Sequence, residues 1–270
     1  MPSIIKTIIL IPHFNNLAGL TKSLSCIFHR TGIDILVIDD GSDPDYKPNL
    51  TFLKSTLNQN VNLNIIYLPK NRGITEALNH GLNYILEKGS HEFIARIDCG
   101  DTCVKNRFSL QEEYMEKNPD TSLVGSWVKW VNNSSQKALF SYRPPCEYKK
   151  IKKRMSIRCN VIHPSVMYRV SIVKEVGIYP VNYNAAEDYA YFFEMAKHSK
   201  IANIPKFLTQ TEHNKGGISA QNKKIQNKSK LKIVMKYGKR DFYLLYGILL
   251  NLILIYTPAS LIFKVKSQLK

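Results

Sequence analysis

The chain has 270 residues, a formal charge of +17 and five cysteines. That length supports one large core, and an odd number of cysteines at irregular spacings excludes a disulfide framework and fits a reducing compartment. The charge calls for an anionic partner, but there is no zinc-finger spacing, no RNA-recognition signature and no interleaving of tyrosines with the basic cluster, which argues against a nucleic-acid-binding module.

The first predicted element is the β-branched run Thr7-Ile8-Ile9-Leu10-Ile11, which stops at Pro12 and passes into His13, Phe14, Asn15 and Asn16. This is the pattern of a core strand entering a loop, and it accounts for the short apolar stretch near Met1 without a secretory signal. A second strand, Ile33 to Ile38, ends in Asp39-Asp40-Gly41-Ser42, so acids again sit at a strand end. In Asn71 to Gly81 a glycine, Gly73, opens a segment whose small residues Ala77 and Gly81 recur four apart, as on one face of a helix that packs closely on a sheet. The amino end of such a helix is suited to a phosphate.

Phe93 to Ile97 reads as a buried strand delivering Asp98-Cys99-Gly100-Asp101 to its carboxyl end, where ligands bind in open α/β sheets. Hard anionic oxygens there suit Mg²⁺ or Mn²⁺ holding a diphosphate, although Asp and Gly are also ordinary turn residues. Cys99 and Cys103 flank this loop without a second pair to complete a zinc site and are read as ordinary thiols. Farther on come the basic run Lys149 to Arg154, the segment His163-Pro164-Ser165-Val166-Met167-Tyr168-Arg169, and the acids Glu187 and Asp188 at the head of a helix expected over Tyr189 to Lys197. Residues Asn184 to Asp188 would cap that helix in any case.

Taken in order, these segments resemble the inverting glycosyltransferases of family 2 over Thr7 to Ser219. The resemblance implies a GT-A fold, an α/β architecture with a mainly parallel central sheet flanked by helices. It implies that Pro12, Phe14 and Asn15 shape a nucleotide pocket, that Asp40 meets the base, and that Asn71, Gly73, Ala77, Asn79 and Gly81 border the nucleotide. Asp98 and Asp101 would bind the donor diphosphate and its divalent cation, Mn²⁺ or Mg²⁺. The family's middle acid is replaced by Gly100, which puts the cation in question; His213, ahead of Gly216-Gly217-Ile218-Ser219, stands where relatives carry a histidine near the metal. Asp188 would be the catalytic base, since inversion needs a carboxylate in hydrogen-bond reach of the attacking hydroxyl.

The last segment combines Lys223, Lys224, Lys228, Lys230, Lys232, Lys236, Lys239 and Arg240 with the apolar stretch Phe242 to Phe263. About 20 apolar residues suffice to span a bilayer. Asn251, Pro258 and the lysines Lys264, Lys266 and Lys270 suit a bent or interfacial helix pair, so monotopic insertion is expected ahead of a span, and packing on the rest of the chain least of all. The expected organisation is a catalytic domain over 1–220, with a nucleotide-binding half (1–101) and an acceptor half (102–220), then a membrane-associating helical tail (221–270). The function expected from the resemblance is transfer of a hexose or N-acetylhexosamine from a nucleotide diphosphate sugar, with UDP favoured, to a polyprenyl-diphosphate-linked glycan during surface polysaccharide synthesis. The place would be the cytoplasmic face of the inner membrane, at an anionic surface. The alternatives are a rhamnosyl or other deoxysugar transferase and a non-catalytic, membrane-docked assembly protein.

Overall fold

Alternation along the first strands decides where the core lies. In a computed structural model, which describes residues 5–58, 60–132, 135–213 and 222–257, strand β1 (Thr7–His13) sends Ile8 and Leu10 into one buried cluster and Ile9 and Ile11 into another. Successive side chains of a strand point to opposite faces, and a sheet buried on both must be apolar on both. β1 is flanked in parallel by β2 (Ile33–Asp39) and β4 (Phe93–Arg96), and β3 (Val61–Tyr67) lies beyond β2.

The second half of the sheet is built from β6 (Thr121–Asn132), β8 (Met167–Arg169) and β9 (Lys200–His213), with the short β5 (Thr102–Cys103) and β7 (Ala138–Tyr142) at its margins. β8 runs antiparallel to both β4 and β6 and joins the halves, while β6 and β9 pair in parallel along most of their length. The order is β3-β2-β1-β4-β8-β6-β9-β5, with β7 on β6. Because the chain winds outward from β1 to β3 and then returns to place β4 on the other side of β1, a crevice opens at the carboxyl ends of β1 and β4.

Helices α1 (Leu17–Ser25), α2 (Leu50–Ser55) and α4 (Arg107–Lys117) bury residues in one cluster. The other cluster is covered by α3 (Ile74–Lys88), α5 (Tyr148–Met155), α6 (Val170–Val176), α7 (Glu187–His198) and α8 (Lys223–Tyr237). Gly81 explains how close α3 comes: a Cβ there would stand 2.3 Å from Leu10 Cδ1.

The last helix, α9 (Phe242–Tyr256), forms a hairpin with α8. Contrary to expectation it does pack on the domain. Gly247 lies so close to the end of α5 that a Cβ would overlap Ser156 O, and Asn251, the one amide side chain of the helix, is buried. Among the described residues no helix is long and apolar enough to cross a membrane. Residues 214–221 and 258–270, including Gly216 to Ser219 and Lys264, Lys266 and Lys270, lie outside the described residues.

Candidate active site

The loops after β1 and β2 are fastened to each other at the crevice. Asn15, at φ +48°, donates through Nδ2 to Asp43 Oδ2 at 2.8 Å and accepts the Asp43 N–H at 2.9 Å. Beneath them the buried His13 and Asp39 pair at 2.9 Å, and Ser42 Oγ donates to the same Asp39 oxygen. The Pro12 carbonyl accepts the Cys99 thiol at 3.2 Å, and Phe14, next after β1, is exposed. Asn16 caps α1 by accepting the Gly19 N–H at 3.0 Å.

Asp40 holds the next wall. Its two carboxylate oxygens accept the backbone N–H groups of Arg72 at 2.9 Å and Gly73 at 2.8 Å. Burial pushes its carboxyl up while these two bonds pull it down. Gly41, at φ +70°, makes the contact possible, because a Cβ would stand 2.4 Å from the Lys70 carbonyl carbon. Asp40 therefore clamps the 70–73 loop, leaving Asn71 exposed beside it and Gly73, at φ +92°, facing open space at the head of α3. Ala77, Asn79 and Gly81, expected at the nucleotide, are instead buried within the fold. Asn79 exchanges two hydrogen bonds with the Tyr179 backbone, at 2.8 and 2.9 Å. Helical spacing puts Ala77 and Gly81 on one face, where Gly81 meets Leu10 and Ile38 of the sheet, while Asn79 points away from that face to the Tyr179 backbone.

The acidic turn is bound from two sides. Ser23 of α1 donates to the carbonyls of Asp98 and Asp101 and accepts the Gly100 N–H at 3.0 Å. From the sheet side the fully buried Arg96 donates to Asp98 Oδ1 and to Leu10 O, each at 2.6 Å. Asp98 keeps a third of its side chain exposed to the crevice. Asp101 is buried: Oδ1 accepts the Glu212 N–H at 3.0 Å, whereas Oδ2 has no partner within hydrogen-bond distance, the neighbouring Thr211 hydroxyl pulling the carboxyl down. Burial, followed by the charge of Asp98, raises its carboxyl well above the usual range. An orphaned, buried carboxylate oxygen beside a second acid fits a divalent cation, with Asp98 and Asp101 as the residues to hold it. Among the described residues no three His, Cys, Asp or Glu side chains already form a metal cage. His213 ends β9 opposite Asn132, and its side chain lies outside the described residues.

On the acceptor side, the 3-10 turn His163–Ser165 sits beneath the acidic turn, where His163 Nε2 accepts from Arg96 Nε at 3.4 Å and meets the Tyr179 hydroxyl at 2.9 Å. Burial, then the neighbouring Arg96 charge, lowers His163 to about 4, so the ring is neutral. Opposite, α7 begins two residues earlier than expected, placing both acids in its first turn behind Ala185, at φ +59°. Asp188 is half-buried and accepts its Tyr189 neighbour's N–H at 2.7 Å. Glu187 is buried, and burial together with the Asp188 charge raises it to about 7. The charge of Asp98 also reaches Glu187, and those of Asp98 and Asp188 reach His163, so the acidic turn and the head of α7 share one electrostatic site.

Three residues of this site, His13, Arg96 and Glu212, carried no role in the sequence, and Glu187 none beyond opening α7. Arg96 left a signal: it stands two residues before Asp98 in extended chain, on the same side. The others depend on contacts between distant segments.

A mixed α/β fold with a curled central sheet flanked by helices is the GT-A architecture, and the sequence profile of glycosyl transferase family 2 matches residues 8–177. The chain belongs to that family and is a glycosyltransferase. It is 28% identical over 209 residues to the UDP-Gal:alpha-D-GlcNAc-diphosphoundecaprenol beta-1,3-galactosyltransferase of Escherichia coli, covering 74% of this chain and 72% of that one. It is 31% identical over 145 residues to the amylovoran biosynthesis glycosyltransferase AmsE of Erwinia amylovora, about half of each protein. Among solved structures, the Staphylococcus aureus TarS fragment 1-349 with UDP-GlcNAc superposes with a TM-score of 0.61 at 18% identity, over 85% of this chain and 65% of that one. The Pyrobaculum calidifontis mannosyltransferase PcManGT with GDP-Man and Mn²⁺ gives 0.65 at 12% identity, over 98% and 73%. At those identities the structures share the fold alone.

Proposed function

We propose that the chain transfers a sugar, with inversion at the anomeric carbon, from a nucleotide diphosphate donor to a hydroxyl of a lipid-linked glycan in polysaccharide assembly. The reading rests on the half-buried Asp188 at the head of α7, whose charge acts on the buried His163 together with that of Asp98. The donor lies along the β1, β2 and 70–73 loops, between Phe14, Asn15 and the loop that Asp40 clamps. Asp188 takes the proton of the attacking hydroxyl as the bond to the diphosphate breaks in line behind the anomeric carbon. The nucleoside diphosphate leaves with the charge, which a divalent cation would offset when bound. UDP-sugars are favoured by the relatives named above, which include a UDP-Gal-dependent enzyme and a UDP-GlcNAc complex. The test is a panel of UDP-, GDP- and dTDP-sugars crossed with lipid-linked acceptors, with and without Mn²⁺. Absence of transfer from every donor overturns the reading.

The same reading places the protein on the cytoplasmic face of an anionic membrane. α9 is amphipathic in the inverted sense: its polar Asn251 is inside, while Phe242, Leu245, Leu249, Ile253 and Tyr256 are exposed. A contiguous exposed apolar face marks a contact surface, and exposed lysines on α5 and α8 supply charge complementary to anionic headgroups. With 15 residues, about 22 Å, α9 suits lying in the interface. Gln226 of α8 bonds the Ala185 carbonyl at 2.8 Å, so this hairpin also braces the loop leading to Asp188.

A further inference from the structure

The acid absent from position 100 has a counterpart in space. Gly100 is held at φ +99°, with its N–H bonded to Ser23 Oγ and to Gly19 O. A Cβ built on it would stand 3.0 Å from Oε2 of Glu212 and 3.5 Å from that side chain's carboxyl carbon. Glu212 reaches this point from the far end of β9, where it pairs in register with Val131 of β6. Its own N–H donates to Asp101. Its carboxylate is about 15% exposed, and Oε1 takes the ammonium of Lys22 from α1. The carboxylate therefore stands against the turn between Asp98 and Asp101, at the place where a side chain of residue 100 would begin. An acid at position 100 is disfavoured twice, by a backbone angle that suits glycine and by the closeness of Glu212.

A second observation points to a ligand. Asp101 is buried with Oδ2 lacking a partner within hydrogen-bond distance, near the Thr211 hydroxyl and beside the charges of Asp98 and Glu212. Carboxylates gathered around one turn with a buried oxygen unsatisfied are stabilised by a cation that arrives from outside. Mg²⁺ or Mn²⁺ travelling with a diphosphate needs only one or two protein carboxylates, because phosphate oxygens and water complete its shell.

We propose that Glu212 ligates the divalent cation that accompanies the donor diphosphate, supplying from β9 the carboxylate that the acidic turn lacks at Gly100. Lys22 is its counter-charge when no donor is bound. The proposal rests on the donor chemistry argued above and deepens it by assigning the cation site.

Calorimetric titration of the full chain with UDP, and in parallel GDP, in Mn²⁺ and in chelator separates the possibilities without measuring turnover. In the wild type Mn²⁺ tightens nucleotide binding at least tenfold. Glu212→Gln removes most of that gain, read as the ratio of affinities in Mn²⁺ and in chelator for the same protein, while Glu212→Asp retains part of it. Lys22→Met keeps or enlarges the Mn²⁺ gain, because it removes the ammonium that competes with the cation for Glu212. The proposal is overturned by a folded Glu212→Gln protein with the wild-type Mn²⁺ gain, by wild-type binding indifferent to Mn²⁺, or by a Lys22→Met protein that loses the gain. Absence of nucleotide binding under every condition refutes the donor reading itself, and the cation assignment falls with it.

Discussion

Replacing Glu187 by glutamine makes the protein more stable above neutral pH. Glu187 is buried in the first turn of α7, next to Asp188. The helix amino end favours an anion there, and backbone N–H groups of Ala186 and Glu187 pull the carboxyl down, but burial and the Asp188 charge win and raise it from 4.5 to about 7. A carboxyl whose folded pKa lies above its unfolded one binds more protons folded than unfolded between the two values, so stability falls as pH rises from about 4.5 to 7. At about 1.4 kcal/mol per pH unit the full cost above neutrality reaches about 3 kcal/mol, a ceiling because Asp188 titrates in the same field. At about 2 °C per kcal/mol for a chain of this size, that is a Tm difference of about 6 °C. The assay is a pair of thermal melts, wild type and Glu187→Gln, from about pH 5 to about pH 8. Near pH 5 the two should differ by less than about 1 kcal/mol, because the folded side chain is neutral and only the unfolded carboxyl has begun to ionise, and they should separate further in favour of the variant by pH 8. A gap that does not change with pH refutes the argument that Glu187 carries a buried charge above neutrality.

Asp188→Asn should lower transfer about 10²–10⁴-fold while nucleotide binding by calorimetry is unchanged, and a loss below tenfold removes Asp188 as the base. Asp40→Ala leaves the Arg72 and Gly73 N–H groups without their acceptor; about 2 kcal/mol of stability should go, read by urea denaturation, and nucleotide affinity should fall with the loosened 70–73 loop. Gly247→Val drives a Cβ into the Ser156 carbonyl, so α9 should separate from α5, seen as faster proteolysis within 238–257 with a folded remainder. Leu245→Gln combined with Leu249→Gln and Ile253→Gln touches only exposed positions of α9, so Tm should hold within about 2 °C while high-salt sedimentation with anionic vesicles is lost; unchanged sedimentation excludes α9 as the apolar contact.

Local pattern alone determined much of this protein. Runs such as Thr7 to Ile11 and Phe93 to Ile97 are apolar on both faces of an extended chain, and only a sheet covered on both sides buries both. Small residues at Ala77 and Gly81, and acids that follow strands or open α7, likewise act through short-range geometry, so β1, β2 and β4, helices α3 and α7 and the acidic turn were legible before any contact was known, whereas β6 and β9 were not. What the tertiary structure decided were the pairings between distant segments. Asp40 could be recognised as an acid at a strand end, but not that both its oxygens hold the loop 32 residues away. Asn79 shared a motif with Asn71, yet packing turned it toward Tyr179, 100 residues on. The apolar stretch after Asp241 gave no sign that Asn251 faces inward, because which side of a nearly uniform helix is buried depends on where Gly247 meets Ser156. Gly100 read as a missing ligand, whereas the fold sets Glu212, 112 residues away in sequence, against the same turn. Sequence patterns report what a segment needs to bury, and which remote group meets that need is settled only when the sheet assembles.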